Sequence, residues 1–415
     1  MNINNRDRKV DEIENKNHVF DLKNAIIHTR WFLTFLGIWP YVISKPSRTE
    51  KYISKFLLPF CSISMIVLVI PILTYVILQD VDRLDLLILL GPISFQTTNI
   101  VKHFVLVFRS GSIKLCIEHM ENDWRNIVSQ NDRDIMIRNL RVGHGLTMMC
   151  TICMYSGAIS YHTIMPLWSG NTINEMNETV RPLAYPGTDL FVDLRSGFNY
   201  EIVFCSNCLS AFFHFTVVTA ICNIAAIFVS HACGQIQIVI SRLENLVDDD
   251  NGIDDDKNDV EERIAFIIRC HVRVLRFSAI IDEVLQEICL MEVGASTLII
   301  CMLEYYCMTE WSNSESVAIV TYVVLLISEC FNIYIFCHIG ELLKEQFAEV
   351  GKASYLIDWY KLPGRTGLAI ILIIAMANYP RKLTAGGMME LSIESFSNIM
   401  KTSVGYLNMV RTIAT

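Results

Sequence analysis

The chain reads as an all-α membrane protein: seven transmembrane helices, N-terminus cytoplasmic, C-terminus extracellular, with cytoplasmic helical extensions forming an anchor domain. Its 415 residues are 52 % hydrophobic and only 19 % charged, and mean hydropathy is +0.39. That balance excludes an ordinary soluble protein but leaves room for sizeable polar loops. Seven apolar runs are long enough to cross a bilayer core; about 20 helical residues span about 30 Å. The first 20 residues are polar and charged, without the apolar core of a secretory signal.

Taken in order, residues 1–55 form a cytoplasmic segment with an amphipathic helix, and the first span, 56–78, carries no charge. The second, 84–101, has Asp85 at its edge and Lys102 just beyond. The third covers 142–168 and the fourth 198–234. The fifth is most apolar over 288–308, the sixth over 316–340, and the seventh over 392–412, close to the last residue. The run GLAIILIIAMANY, 367–379, is fenced by Pro363 and Pro380. It is too short to span and reads as a buried or re-entrant helix.

Lys and Arg set the direction. Of 34 such residues, 28 fall before span one, between spans two and three, four and five, and six and seven. The opposite side has Arg83, Arg181, Arg195 and Arg411; Lys102 and Lys401 lie within or beside spans. The N-terminus is therefore expected in the cytoplasm, the reverse of a G-protein-coupled receptor. The sequon Asn177-Glu178-Thr179 then falls outside the cell, where Asn177 is a candidate glycosylation site.

Three helices outrun the membrane. The fourth continues from Phe198 to about Val247, the fifth begins near Asp259, and the sixth runs on past Gly340. Their charged ends do not face lipid. Segments 235–287 and 341–391 are therefore expected to pack as a cytoplasmic platform for subunit assembly. Between the fourth and fifth helices, Asp248 to Asp256 is acidic, but Gly252 as sixth residue of a calcium loop would put Val247 first, which fails. It reads as a solvated acidic linker.

No catalytic signature appears: there is no nucleophile–base pair, phosphate loop or paired carboxylate at catalytic spacing, so an enzyme is not expected. Cys150 and Cys153, like Cys205 and Cys208, have C-x-x-C spacing but sit in apolar helices without further ligands, so no metal or cofactor is expected. The outer halves of spans two to six mix aromatic and small residues with sparse polar groups. Ile88, Pro92, Ser156, Ser160, Phe204, Cys208, Phe212, Tyr305 and Tyr322 are the candidate lining of a cavity for a small volatile or lipophilic ligand. Glu304 is a costly charge near the outer end of span five; it pairs, faces a vestibule or touches ligand.

The last helix carries a stripe of small and polar residues at steps of three and four: Ser395, Asn398, Thr402, Gly405, Met409 and Thr412. Such a face must meet protein or water, which means packing or a pore.

At this point a resemblance adds to the reading. FCHIGELLKEQF (336–347), VGKASYLIDWYKLP (350–363) and PRKLTAGGMMELSIESFSNIMKTSVGYLNMVRT (380–412) look like the closing region of insect odorant receptors. SHACGQIQIVISRLENL (230–246), CHVRVLRFSAIIDEVLQEICLMEVG (270–294) and LGIWP (36–40) also fit. The short acidic segment between spans four and five resembles the ligand-specific class rather than the co-receptor, whose insert there is much longer. The resemblance implies an odorant-gated non-selective cation channel in the plasma membrane of olfactory sensory neurons, a heterotetramer with the odorant co-receptor. It implies that the last helix lines the pore, with Thr402 on its wall and Met409, Thr412 and Ile413 at its constriction. The implied partners are the odorant, the co-receptor, permeating cations and membrane lipids, and not nucleic acid. Arg411 beside the mouth of a cation pore is the awkward feature. The sister family of gustatory receptors shares the expected topology. A secondary transporter is the other alternative, suggested by the proline-fenced short helix.

Overall fold

The computed structural model describes residues 15, 17–79, 83–168, 172–173, 179–181, 183–192, 197–246, 257–313, 316–362 and 366–414. In chain order it places α1 (His18–Ala25), α2 (Ile27–Phe35), α3 (Arg48–Leu78), α4 (Arg83–Phe108), α5 (Ser110–Asn126) and α6 (Gln130–Ile159). One π-turn (Ser160–Ile164) joins α6 to the short α7 (Met165–Trp168). A two-stranded ribbon follows, β1 (Thr172–Ile173) antiparallel to β2 (Thr179–Val180). Then come α8 (Gly197–Glu244), α9 (Lys257–Asn313), α10 (Ser316–Leu356) and α11 (Thr366–Ala377). A second ribbon, β3 (Thr384–Ala385) with β4 (Met389–Glu390), leads into α12 (Ile393–Ala414).

Local sequence explains the boundaries. α3 opens on a capping box: the Glu50 backbone N–H donates to the Ser47 hydroxyl at 3.1 Å, and the Ser47 N–H donates to the Glu50 carboxylate at 2.8 Å. α8 is apolar around its whole circumference, so it sits inside, packed by α6, α10, α9 and α3. α9 has 57 residues, a length of about 85 Å. It and α10 run well past any bilayer core, as expected. The third long helix does so too: it begins at Gln130 rather than near 142.

Among the described residues, five helical runs are long and apolar enough to cross a membrane: α3, α6 through α7, α8, most of α9, and α10. The expected second and seventh spans, α4 and α12, have 26 and 22 residues, or about 39 and 33 Å. They are long enough to cross, and each carries polar side chains along its length. Gln96, Asn99, Lys102 and His103 of α4 are buried inside the bundle, and α12 keeps Asn398, Lys401, Thr402 and Asn408 at its surface. Exposed Ile63, Val67, Ile70 and Ile77 give α3 the greasy outer face that lipid requires.

Three elements differ from expectation. The amphipathic segment before span one is two short helices, which bury Asp21, Ala25, Thr29 and Leu33. α5 was not expected; it buries Ile113, Cys116, Ile117, Met120 and Trp124 and packs on α1 and α9. α11 is only half covered: Ile370, Ile373 and Ala377 are buried, while Leu368, Ile371 and Leu372 are exposed. The acidic stretch 248–256 lies outside the described residues.

At the end of the bundle with the α6–α7 turn, a glycine fixes one loop against α3. Gly187 has φ +92°, and a Cβ there would meet the Pro71 carbonyl oxygen at 2.3 Å. At the opposite end, α10 and the start of α12 touch at Gly340, where a Cβ would meet the Leu391 carbonyl oxygen at 2.2 Å. Both contacts need glycine.

Candidate functional site

The bundle encloses a cavity of about 60 Å³ near the α6–α7 turn, several times the space one water needs. α4 supplies Gly91, Pro92 and Phe95; the π-turn supplies Tyr161 and His162; the loop held by Gly187 supplies Tyr185. Phe215 of α8 closes one wall. Ile299, Leu303 and Tyr306 of α9 face Tyr322, Leu325 and Glu329 of α10. Pro92 shapes the site through what it lacks. Without an N–H it leaves the Ile88 carbonyl unpaired in its helix, and the Tyr306 hydroxyl donates to that carbonyl. Gly91 makes the approach possible, since a Cβ there would lie 3.1 Å from the Tyr306 hydroxyl.

Of the nine residues expected to line the pocket, Pro92 and Tyr322 do so, and Ile88 contributes its backbone carbonyl behind the wall. Tyr305 does not line the cavity; it is buried beside Tyr306 in a cluster that extends from the cavity wall to Val410 of α12. The Ser156 side chain is exposed and donates to the Cys153 carbonyl at 2.8 Å. Ser160 heads the π-turn without reaching the cavity. Cys208 sits behind the wall, its thiol donating to the His162 carbonyl at 3.7 Å. Phe204 stacks on Tyr200 with ring centres 6.1 Å apart, and Phe212 meets Phe35 of α2 edge-on at 5.8 Å. Tyr161, His162, Tyr185, Tyr306 and Glu329 were not anticipated. Glu329 had a readable signal, a carboxylate in the middle of an apolar span.

Below the cavity lies a buried polar set. Lys102 of α4 pairs with Glu292 of α9 at 2.5 Å, with both side chains almost wholly buried. The Asn332 amide of α10 donates to the same carboxylate, and the Lys102 ammonium also donates to the Asn99 side chain at 3.4 Å. Three of the helices that wall the cavity, α4, α9 and α10, are thus joined through one carboxylate. Lys102, read from sequence as lying just past a span, is central to the bundle.

α12 touches its own chain along one face. Ser395, Ile399, Ser403 and Val410 are buried there, and the Ser403 hydroxyl donates to Glu304 of α9 at 3.5 Å. Glu304 therefore faces α12 rather than the cavity. Ser395 leaves the expected stripe: its hydroxyl points inward and donates to the Glu390 carbonyl at 2.6 Å. The remaining stripe residues, Asn398, Thr402, Gly405, Met409 and Thr412, are exposed on this chain. The Thr402 and Thr412 hydroxyls fold back onto the Asn398 and Asn408 carbonyls at 2.7 and 3.0 Å. The side chain of Ile413 and the sequon residue Asn177 lie outside the described residues.

Comparison with known proteins agrees with this architecture. A family model described as 7tm Odorant receptor matches residues 85–404. The chain is 22 % identical to Odorant receptor 85b of Drosophila melanogaster over 405 residues, covering 95 % of this chain and 100 % of that protein. It is 20 % identical to Odorant receptor 85c of the same species, covering 92 % and 97 %. The fold is similar to that of the insect olfactory receptor OR5 from Machilis hrabei in complex with eugenol. The TM-score is 0.77 and the identity 13 %, with 96 % of this chain and 100 % of that chain covered. With family match, all-α bundle and apolar spans in agreement, the chain belongs to the 7tm odorant receptor family, the multi-pass olfactory receptors of insects.

Proposed function

We propose that this chain is the odorant-sensing subunit of a ligand-gated, non-selective cation channel. It works in a heterotetramer with an odorant co-receptor in the plasma membrane of olfactory sensory neurons. A small volatile or lipophilic ligand enters the aromatic cavity, and α12 contributes to the pore wall. One observation carries the reading: α9 does both jobs. Leu303 and Tyr306 line the cavity, and Glu304 between them meets Ser403 of α12. A ligand that shifts α9 thus acts on α12 through a direct contact, and it biases opening by whatever affinity difference it has for the two states. The exposed polar face of α12 supports a pore lining, and the exposed apolar face of α11 supports packing against another subunit on the cytoplasmic side. The solved relative in complex with eugenol supports a ligand of that size.

The test is electrical. Cells expressing the chain with an odorant co-receptor should give odorant-evoked cation currents that persist when G-protein signalling is blocked. Cells expressing the chain alone should give none. Responses that need G proteins and not the co-receptor would overturn the reading.

A further inference from the structure

We infer that the cavity takes small protonated amines, held by a cage of aromatic rings and the Glu329 carboxylate. The inference rests on the reading of this cavity as the ligand site. Charge is unbalanced at this site. The buried set at the cavity floor contains one cation, Lys102, and two carboxyl groups, Glu292 and Glu329. Lys102 is taken by Glu292 at 2.5 Å, which also accepts from Asn332. Glu329 is 5 % exposed, lines the cavity, and has no hydrogen bond or ion pair among the described residues. A carboxylate buried without a partner is costly. A ligand cation in the cavity supplies the missing one.

The wall is rich in aromatic rings. Tyr161 and Tyr185 have ring centres 5.5 Å apart, Tyr306 and Tyr322 5.2 Å, and Phe95 and Phe215 5.0 Å. The Tyr161 and Tyr306 hydroxyls are already committed, to the carbonyls of Ala184 and Ile88. These residues thus offer the cavity ring surface rather than free donors. Rings gathered around a space attract a cation through their quadrupoles. A neutral apolar ligand would use the rings and leave Glu329 unmet; an ammonium group uses both.

The test uses three isosteric probes, isopentylamine, isopentyl alcohol and 2-methylpentane, on cells expressing the full chain with an odorant co-receptor. A hydrogen bond to a charged partner is typically worth about 10- to 100-fold. The amine should therefore activate at a concentration at least about 10-fold below the alcohol, with the alkane weakest. Glu329→Gln should raise the amine's half-maximal concentration by about 10- to 100-fold and leave the alcohol's within about 3-fold. If Glu329→Gln fails to reach the surface, the ranking on the unmodified chain decides alone. An alcohol equal to or better than the amine overturns the amine class, as does an amine response that ignores Glu329→Gln at normal surface level. Leu325→Trp, which fills the cavity, separates the two failures. If it removes all responses while amine and alcohol rank equally, only the amine class falls. If it leaves all responses intact, the cavity is not the ligand site and both readings fall.

Discussion

α8 and α12 show how differently one chain can treat two of its helices. Residues 213–234 of α8 are all buried. α12 is comparable in length to that stretch, at 22 residues, yet buries little beyond Ser395, Ile399, Ser403 and Val410. α8 is apolar on every side and is covered by its own neighbours, so its sequence is tied to stability. α12 is covered on one side only, and its open side is polar. A helix of that kind is incomplete until other chains or water meet it. The fold is held at the centre of the bundle, and the proposed conduction path runs along an edge that a single chain does not cover.

Substitutions in the two helices test this contrast. The largest effect is expected at α8. Phe228→Ala removes a fully buried ring beside Phe277 and should cost about 3–5 kcal/mol, seen as lost surface expression and a lower unfolding temperature in detergent. Met409→Ala on the open face of α12 should change stability by less than about 0.5 kcal/mol, while altering current amplitude or block. Equal stability losses would erase the distinction. Lys102→Met tests the buried polar set. It leaves Glu292 unpaired and should destabilise by about 3–5 kcal/mol, with Lys102→Met/Glu292→Met recovering much of the loss. No recovery in the double variant would show that the two groups do not act as a pair.

A gentler probe maps α12 itself. Thr402→Cys and Met409→Cys should be modified by water-soluble thiol reagents with a change in current, and Ile399→Cys should not. Uniform modification around the helix would remove the proposed wall. The smallest expected effect lies far from the membrane spans, at Asp21. Its carboxyl accepts from Arg133 at 2.8 Å, and that hydrogen bond holds it below the usual carboxylate range. A lowered folded-state value means the pair's stabilisation is present above the unfolded carboxyl value of about 3.9. It is lost as pH falls through the lower folded value. Unfolding scans should thus show no loss from this pair between pH 7 and 5, and a loss in stronger acid that Arg133→Met no longer displays.

The spans of α3, α8, α9 and α10 were legible because apolar runs report membrane burial directly. Their overlong ends were legible because dense charge cannot face lipid. α5 was missed because its apolar residues, Ile113 to Trp124, are interleaved with charge and meet α1 and α9 rather than lipid. The pocket was legible only in outline. Counting 3.6 residues per turn assumes an unbroken helix, and the π-turn at Ser160–Ile164 rotates the faces that follow it. That helps explain why Tyr161 and His162 line the cavity. Tyr185 arrives from a loop whose path depends on Gly187 packing on α3, a contact between distant segments with no local signature. Glu304 and Lys102 were visible as charges in or beside spans, but their partners, Ser403 and Glu292, come from other helices.

The contact at Gly340 has a mechanical consequence. It sets the base of α12 against α10 with no side chain between them, and Phe396 and Met400 continue the contact against Tyr334 and Cys330. From Ile393 to Met409 the helix is about 24 Å long, so a tilt of about 5° about its base carries the Met409 end through about 2 Å. Glu304 meets the helix at Ser403, more than halfway along this arm. In the proposed channel the base of α12 would serve as a fulcrum, and a small push from α9 would be magnified toward the tip. A small ligand in the cavity would in this way work a much wider opening.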